Sequence, residues 1–471
     1  MTWIALVIAL QIDDHIKPGD PCRDEEFLRR ASLDIAGVAP AWEDAKSPPG
    51  DRAALVDKLV ASEEFNLHWA RFLLELTTER RAIRYDEHNG RALHQWLAAQ
   101  MRAKQPYDRI VHALITAKGT ANEDGATNFL LRYQAKPSDA TGAIGRAFLG
   151  ARLQCAQCHD HPFDKWTRDE FWGAAAFFAR TKRTYIEGDD GNLGIVDIKK
   201  GRVMMPGEKD DGDEEQVEER RKVVAPKWID GTAPGKDRPM REQLAELVTA
   251  SPTFAPSLVN RVWARMTGRG FVEPLDGFGR RAKAERPELL AALAEGFAKD
   301  FDLRKLVRTI ALSKAYARAG APLRPLSVDQ MHATLVRATG YHLDEDGSGG
   351  EEPEGGMMEE GEDEAADYAD QEPADMFPGA PRTMRRSLNQ LNGGYMHDIV
   401  EQGARHLMKQ MGRPVTMAHV ERVYLALLTR RPSKEEAERL SAVVKGAKGK
   451  REALEDILWA VLNSVEFQSN H

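Results

Sequence analysis

Ser138 to Arg180 reads SDATGAIGRAFLGARLQCAQCHDHPFDKWTRDEFWGAAAFFAR, and this stretch sets the expectation for the fold. Ser138 is placed to cap a helix that runs to Leu153 and feeds directly into Cys155-Ala156-Gln157-Cys158-His159. Beyond the cysteines, Thr167 and Glu170 have capping-box spacing and should open a second helix carrying Phe171, Trp172, Phe177 and Phe178. A helix, a short chemical loop and a second helix point to a mainly α protein.

Apolar residues recur at three- and four-residue intervals on both sides of this stretch, as one helical face requires. Phe27, Leu28, Ala31 and Ile35 make one stripe, ended by Gly37 and Pro40. Others follow at Leu55, Leu59 and Val60, at Phe65, Trp69, Phe72, Leu73 and Leu76, at Leu93, Trp96 and Leu97, and at Ile110, Val111, Leu114 and Ile115. Residues 182–236 break the pattern with Gly and Pro, short runs such as Gly194 to Ile198, and a charged insert near Asp210 to Arg221. Helical patterning resumes near Pro239. Leu258, Val262 and Met266 form a stripe stopped at Gly268, and helices are predicted over Pro287 to Lys299, Leu303 to Ala317, Ser327 to Gly340 and through Pro381 to Phe467. Leu343 to Met376 is acidic, Gly-rich and almost free of large aliphatics, so it reads as a disordered insertion. The expected organisation is a helical N-terminal domain over 12–181, a loop and short-strand segment over 182–236, and a helical domain over 237–471 with the acidic loop at 343–376.

A chain of 471 residues exceeds one ordinary core, which fits that division. The formal net charge of −8 and the lack of a basic stripe interleaved with aromatics argue against nucleic acid as a partner. Met1 to Leu10 is apolar but too short to span a bilayer, and it lacks the basic start and small-residue cleavage site of an export signal. It reads either as the remnant of such a signal or as the apolar face of a first helix. No other segment is long and apolar enough to span, so an integral membrane protein is not expected. P-loop, HExxH and nucleophile-elbow patterns are missing, so no hydrolase or nucleotide chemistry is indicated.

Three cysteines occur, Cys22, Cys155 and Cys158, too few for a disulfide framework. Two thiols three positions apart, followed by histidine, fit covalent attachment of one haem c. Cys155 and Cys158 would link to its vinyl groups, and His159 would supply the proximal imidazole. Phe163 and Trp166 are suited to packing on the macrocycle edge, and Asp160 or Asp164 to orienting a histidine ring. Met204, Met205, His68, His88, His94 and His112 are candidate distal ligands, although each histidine reads more simply as a surface or satisfied one, and a vacant sixth position is also open. Three other readings share the motif. Zinc or iron held by Cys155, Cys158, His159 and His161 is one, although four ligands within seven residues crowd a tetrahedral ion. A redox CxxC and a structural disulfide are the others.

Phe148 to Arg180 also resembles the hallmark of the planctomycete cytochrome-c-like domain family, a domain of unknown function, and FLRRASLDIAGVAP (Phe27 to Pro40) and Trp69-Ala70-Arg71 resemble it too. LVNRVWARMTGRGFVEPLDGFG (Leu258 to Gly279), RPLSVDQ (Arg324 to Gln330) and ILWAVLNSVEFQSNH (Ile457 to His471) resemble its uncharacterised C-terminal companion domain. The resemblance implies a two-domain, exported bacterial protein, periplasmic or in the cell envelope, centred on Cys155, Cys158, His159, Asp160, His161, Phe163 and Asp164. The family's setting implies a redox partner acting on complex carbohydrate. The chain departs from the pattern at Arg286-Pro287-Glu288-Leu289-Leu290, where relatives carry His for Arg286, and in its incomplete export signal.

The leading expectation is therefore an extracytoplasmic haem-c protein passing electrons. The alternatives are a metal-dependent enzyme using His159, Asp160, His161 and Asp164, and a non-catalytic binding or scaffold protein of the cell envelope. Asn260, Arg261, Trp263 and Arg269 suggest a cleft or, more simply, Arg pairing with Glu273 or Asp276 at the helix ends.

Overall fold

A computed structural model describes residues 12–13, 15–16, 19–78, 90–186, 193–206, 222–339, 394–448 and 450–470. The apolar start, His88, the charged insert at 210–221 and the acidic tract at 343–376 lie outside the described residues. The chain is mainly helical with a few short sheets, as the periodicity predicts. Among the described residues, no helix is long and apolar enough to cross a membrane.

Two compact units emerge, each built from separated pieces of chain: Met1–Lys17 with Asn66–Tyr316, and Pro18–Phe65 with Ala317–His471. This grouping differs from three consecutive blocks, because side chains near the start reach carbonyls near the end.

The first unit carries the cysteines. Phe129 and Phe148 pack at 5.6 Å between ring centres and Tyr107 stacks on Phe254 at 5.1 Å. Each fully buried phenylalanine of this kind contributes roughly 1.5–3 kcal/mol. Strand Leu193–Asp197 lies between Gly119–Thr120 and Thr181–Tyr185 in an antiparallel sheet, and Val203–Met205 pairs with Lys222–Val224. The middle segment thus holds the expected short strands. Buried Arg241 joins helix to sheet: its Nη1 donates to the carbonyls of Ile115 and Ala117, and its Nε to Asp197 at 3.1 Å.

Helix boundaries follow local chemistry. The predicted Ser138 to Leu153 helix instead spans Pro137–Leu149, with Lys136 at the cap. Proline at the first helical position presets φ and has no N–H to satisfy, so it starts the helix ahead of Ser138. The helix Leu303–Ala311 stops short of the predicted Ala317 because the Ser313 hydroxyl donates to the Ile310 carbonyl at 2.7 Å and turns the chain. Phe254–Thr267 ends at Gly268 as expected.

The second unit packs Asp24–Ala31, Arg52–Ala61, Val328–Thr339, Gly394–Met411, Met417–Leu428, Lys434–Gly446 and Arg451–Leu462. Leu407, Val420, Leu427, Leu454, Ile457, Leu458 and Phe467 belong to its core. A buried Arg324–Asp34 pair at 2.7 Å, with Asn470 donating to Asp34 at 2.8 Å, ties the start of this unit to its end.

Candidate functional site

The cysteine loop is seated by the helix that precedes it. Leu153–Ala156 forms a tight 3-10 turn that folds back on Pro137–Leu149. A Cβ on Gly145 would come within 2.8 Å of the Leu153 side chain, so glycine is needed for this close approach. Cys155 lies in that turn and Cys158 just after it, and both are free and exposed. The third thiol contrasts with them. Cys22 is buried, and desolvation pushes its pKa up despite the nearby Arg30 and Arg52 charges, as expected of an inert structural cysteine.

His159 is exposed, and its Nδ1 lies 2.6 Å from the carbonyl of Asp160. A carbonyl can only accept, so Nδ1 is the donor in this contact, and in the neutral ring that places the lone pair on Nε2. His161 is used differently. Its Nδ1 accepts the backbone N–H groups of Phe163 and Asp164 at 3.1 and 3.0 Å. The carboxylates brace the loop. Asp160 accepts from the Arg168 N–H at 2.8 Å, and Asp164 accepts from the Lys165 N–H at 2.7 Å and the Arg280 N–H at 3.1 Å. Among the described residues, no three His, Cys, Asp or Glu side chains come together as a metal-binding group. Neither Cys155, Cys158, His159 and His161 nor His159, Asp160, His161 and Asp164 therefore converge as a ligand set.

Phe163 is 82% exposed, whereas Trp166 is buried, and its indole Nε1–H meets no acceptor among the described residues. The capping box expected at Thr167 and Glu170 is present, and it starts the helix Arg168–Ala175. From that helix Trp172 donates to the Gln157 carbonyl at 2.9 Å, holding the loop between the two cysteines. Of the distal candidates, Met204 is partly exposed on its strand and Met205 is buried, while His68, His94 and His112 lie half-buried on helices.

Residues 276–280, far along the chain, complete the surroundings of the loop. The Phe278 N–H donates to the Gly150 carbonyl at 2.7 Å, Gly277 bridges to Ala151, and Arg152 pairs with Asp276 at 2.7 Å. Arg280 donates to the Lys165 and Ile229 carbonyls at 2.8 and 3.0 Å and to Glu170 at 2.8 Å, with its guanidinium 4.3 Å from the Trp166 ring centre. Burial alone would raise the Glu170 pKa. The bonds from Arg280 and Thr167 outweigh it and hold that carboxyl below its usual value.

Arg280 does not stand out in the sequence, because it belongs to no helical stripe or short motif, and Gly279 is marked only as the last residue of the Leu258 to Gly279 resemblance, with no role attached. The Arg pairing expected in this block is also different. Buried Arg261 donates to Ser257 and to the Arg146 carbonyl rather than to Glu273 or Asp276, and Arg269 pairs with Glu285. Asn260 turns inward to bond Phe271 and Val272, fastening the loop that leads to Gly279.

Residues 5–183 match the family PSCyt2, described as "Protein of unknown function (DUF1549)", and residues 240–346 match PSD1, "Protein of unknown function (DUF1553)". These are the planctomycete domains named by the sequence resemblance, in the expected order. No curated protein and no solved structure matches the chain.

Proposed function

We propose that the chain is an extracytoplasmic c-type haem protein that transfers electrons to a partner protein. The observation that carries this reading is the donor set on one exposed turn: two free thiols three residues apart, then an imidazole whose Nδ1 is engaged and whose Nε2 is available. The donors fit haem c. Cys155 and Cys158 would each add across a vinyl double bond, sulfur to one carbon and hydrogen to the other, which requires no oxidant and no leaving group. His159 would hold the iron through Nε2. The unpartnered Trp166 indole N–H, buried beside the loop, is a donor that a group bearing carboxylates would satisfy. When bound, haem supplies a one-electron couple. The chain's own residues hold the loop, present the thiols to solvent and fix the imidazole tautomer. Exposure of the loop suits electron exchange with a partner, and from the family's setting that partner acts on complex carbohydrate.

Protein produced in an exporting host with c-type maturation machinery should gain the mass of one porphyrin and show a reduced α band that survives acid–acetone extraction. Cys155→Ser with Cys158→Ser should abolish that resistance. Apo polypeptide from the same host would overturn the reading. Stoichiometric zinc or iron without porphyrin would replace it with the metal-dependent alternative.

A further inference from the structure

We propose that residues 276–280, from the segment matched by the second family, are the positioning element of the cysteine loop, with Arg280 as its decisive side chain. The inference rests on the haem reading for its purpose but not for its geometry. Both ends of the loop are fastened to the same five residues. Upstream, Gly150, Ala151 and Arg152 are held by Phe278, Gly277 and Asp276. Downstream, Asp164, Lys165, Trp166 and Glu170 are held by Arg280. Between the two anchors lie Cys155, Cys158 and His159, all exposed, with buried Leu153 and Ala156 and the Trp172 bond to the Gln157 carbonyl seating only the backbone beside them.

Gly279 makes this closure possible. A Cβ there would fall 1.5 Å from Asp164 Oδ2, so the two chain segments meet with no room for a side chain. Arg280 then acts as a fork and a plate together. Its N–H groups reach two backbone carbonyls and a carboxylate, while its planar face covers Trp166. A lysine has one donor group and no plane, so it cannot reproduce both functions. The two families would therefore form one functional unit. The first supplies the reactive side chains, and the second fixes the loop on which they stand.

The test uses the full chain carrying Arg280→Ala or Arg280→Lys. Amide hydrogen exchange across residues 153–164 should be faster by about tenfold in Arg280→Ala, and less so in Arg280→Lys, with exchange in the Phe254–Thr267 helix unchanged. Haem loaded per chain in the maturation host should fall, and the midpoint potential of what is loaded should shift, which a merely structural contact would not cause. If Arg280→Ala does not fold, Arg280→Lys carries the comparison alone. Unchanged loop exchange together with unchanged loading and potential would overturn the proposal. If the wild-type chain takes up no haem yet Arg280→Ala still frees the loop, the positioning role stands and the haem reading falls. If the wild type loads haem and neither variant differs from it, the positioning role falls and the haem reading stands.

Discussion

Arg29 and Arg280 do the same chemical job in two different settings. Arg29, in the second unit, is 1% exposed and gathers four backbone carbonyls: Leu427 at 2.6 Å, Glu466 at 3.0 Å, and Phe467 and Ser469 at 3.3 Å. Arg280, at the rim of the first unit, is 35% exposed and gathers two carbonyls and a carboxylate around the cysteine loop. Burial lowers the Arg29 pKa to about 10 in spite of the Glu466 charge, which leaves it a cation at neutral pH whose lost hydration is replaced by backbone carbonyls. A buried arginine of this kind holds a whole unit together, whereas one at the rim orders a single loop.

The largest expected effect comes from breaking the buried arginine. Arg29→Met keeps the apolar stem of the side chain but removes the guanidinium and leaves up to four carbonyls, three of them in buried contacts, without this donor. By analogy with breaking one partner of a buried charged network, it should cost roughly 3–5 kcal/mol. Urea unfolding of the full chain checks this. A loss below about 1 kcal/mol, the size of an ordinary surface contact, would erase the contrast between the two arginines.

Gly279→Ala comes next and acts at the rim. Its Cβ must displace the Asp164 carboxylate, a local overpacking that costs about 1–3 kcal/mol. In an Asp164→Gly background the clash has no partner, so the same substitution should become nearly neutral. The coupling measured in that double-mutant cycle sharpens the comparison, because it assigns the effect to the loop rather than to the unit as a whole. Additive costs would mean that the Asp164–Gly279 approach has no energetic weight.

The same contrast explains what could be read from the chain alone. The Thr167–Glu170 capping box, the helix through Leu258, Val262 and Met266, and the short strands near Gly194 are local patterns, and each is present. Cys155, Cys158 and His159 were recognisable because three reactive residues within five positions need no tertiary knowledge. Arg29 reaches Phe467 across 438 positions and Arg280 reaches Lys165 across 115, and neither contact has a periodic signature. The interleaving of the two units stayed hidden for the same reason. His161 and Asp164 look like metal ligands by residue type, yet His161 Nδ1 accepts backbone N–H groups of its own loop, and Asp164 accepts those of Lys165 and of Arg280.

The smallest expected effect tests the exposed end of the scale. Arg430 grips Glu436 at 2.8 and 2.9 Å and Glu466 at 2.6 and 2.7 Å, near the chain end that Arg29 also holds. Hydrogen bonding to Arg430 outweighs partial burial and, helped by the Ser433 backbone, lowers the Glu436 pKa from 4.5 to about 2. A carboxyl with a depressed folded pKa stabilises the protein above its unfolded value, and that contribution fades as pH falls from about 4.5 toward 2. Both side chains are about one-third exposed, so solvent screening reduces the contribution to roughly 0.5–1 kcal/mol. Glu436→Gln should therefore lower the urea midpoint at pH 6 and leave it almost unchanged near pH 2, and 1 M salt should shrink the difference at pH 6. A Glu436→Gln effect of equal size at both pH values would show that the residue acts through its Ser433 cap and packing, not its charge. Exposed ion pairs would then contribute even less to this chain than the screening estimate allows.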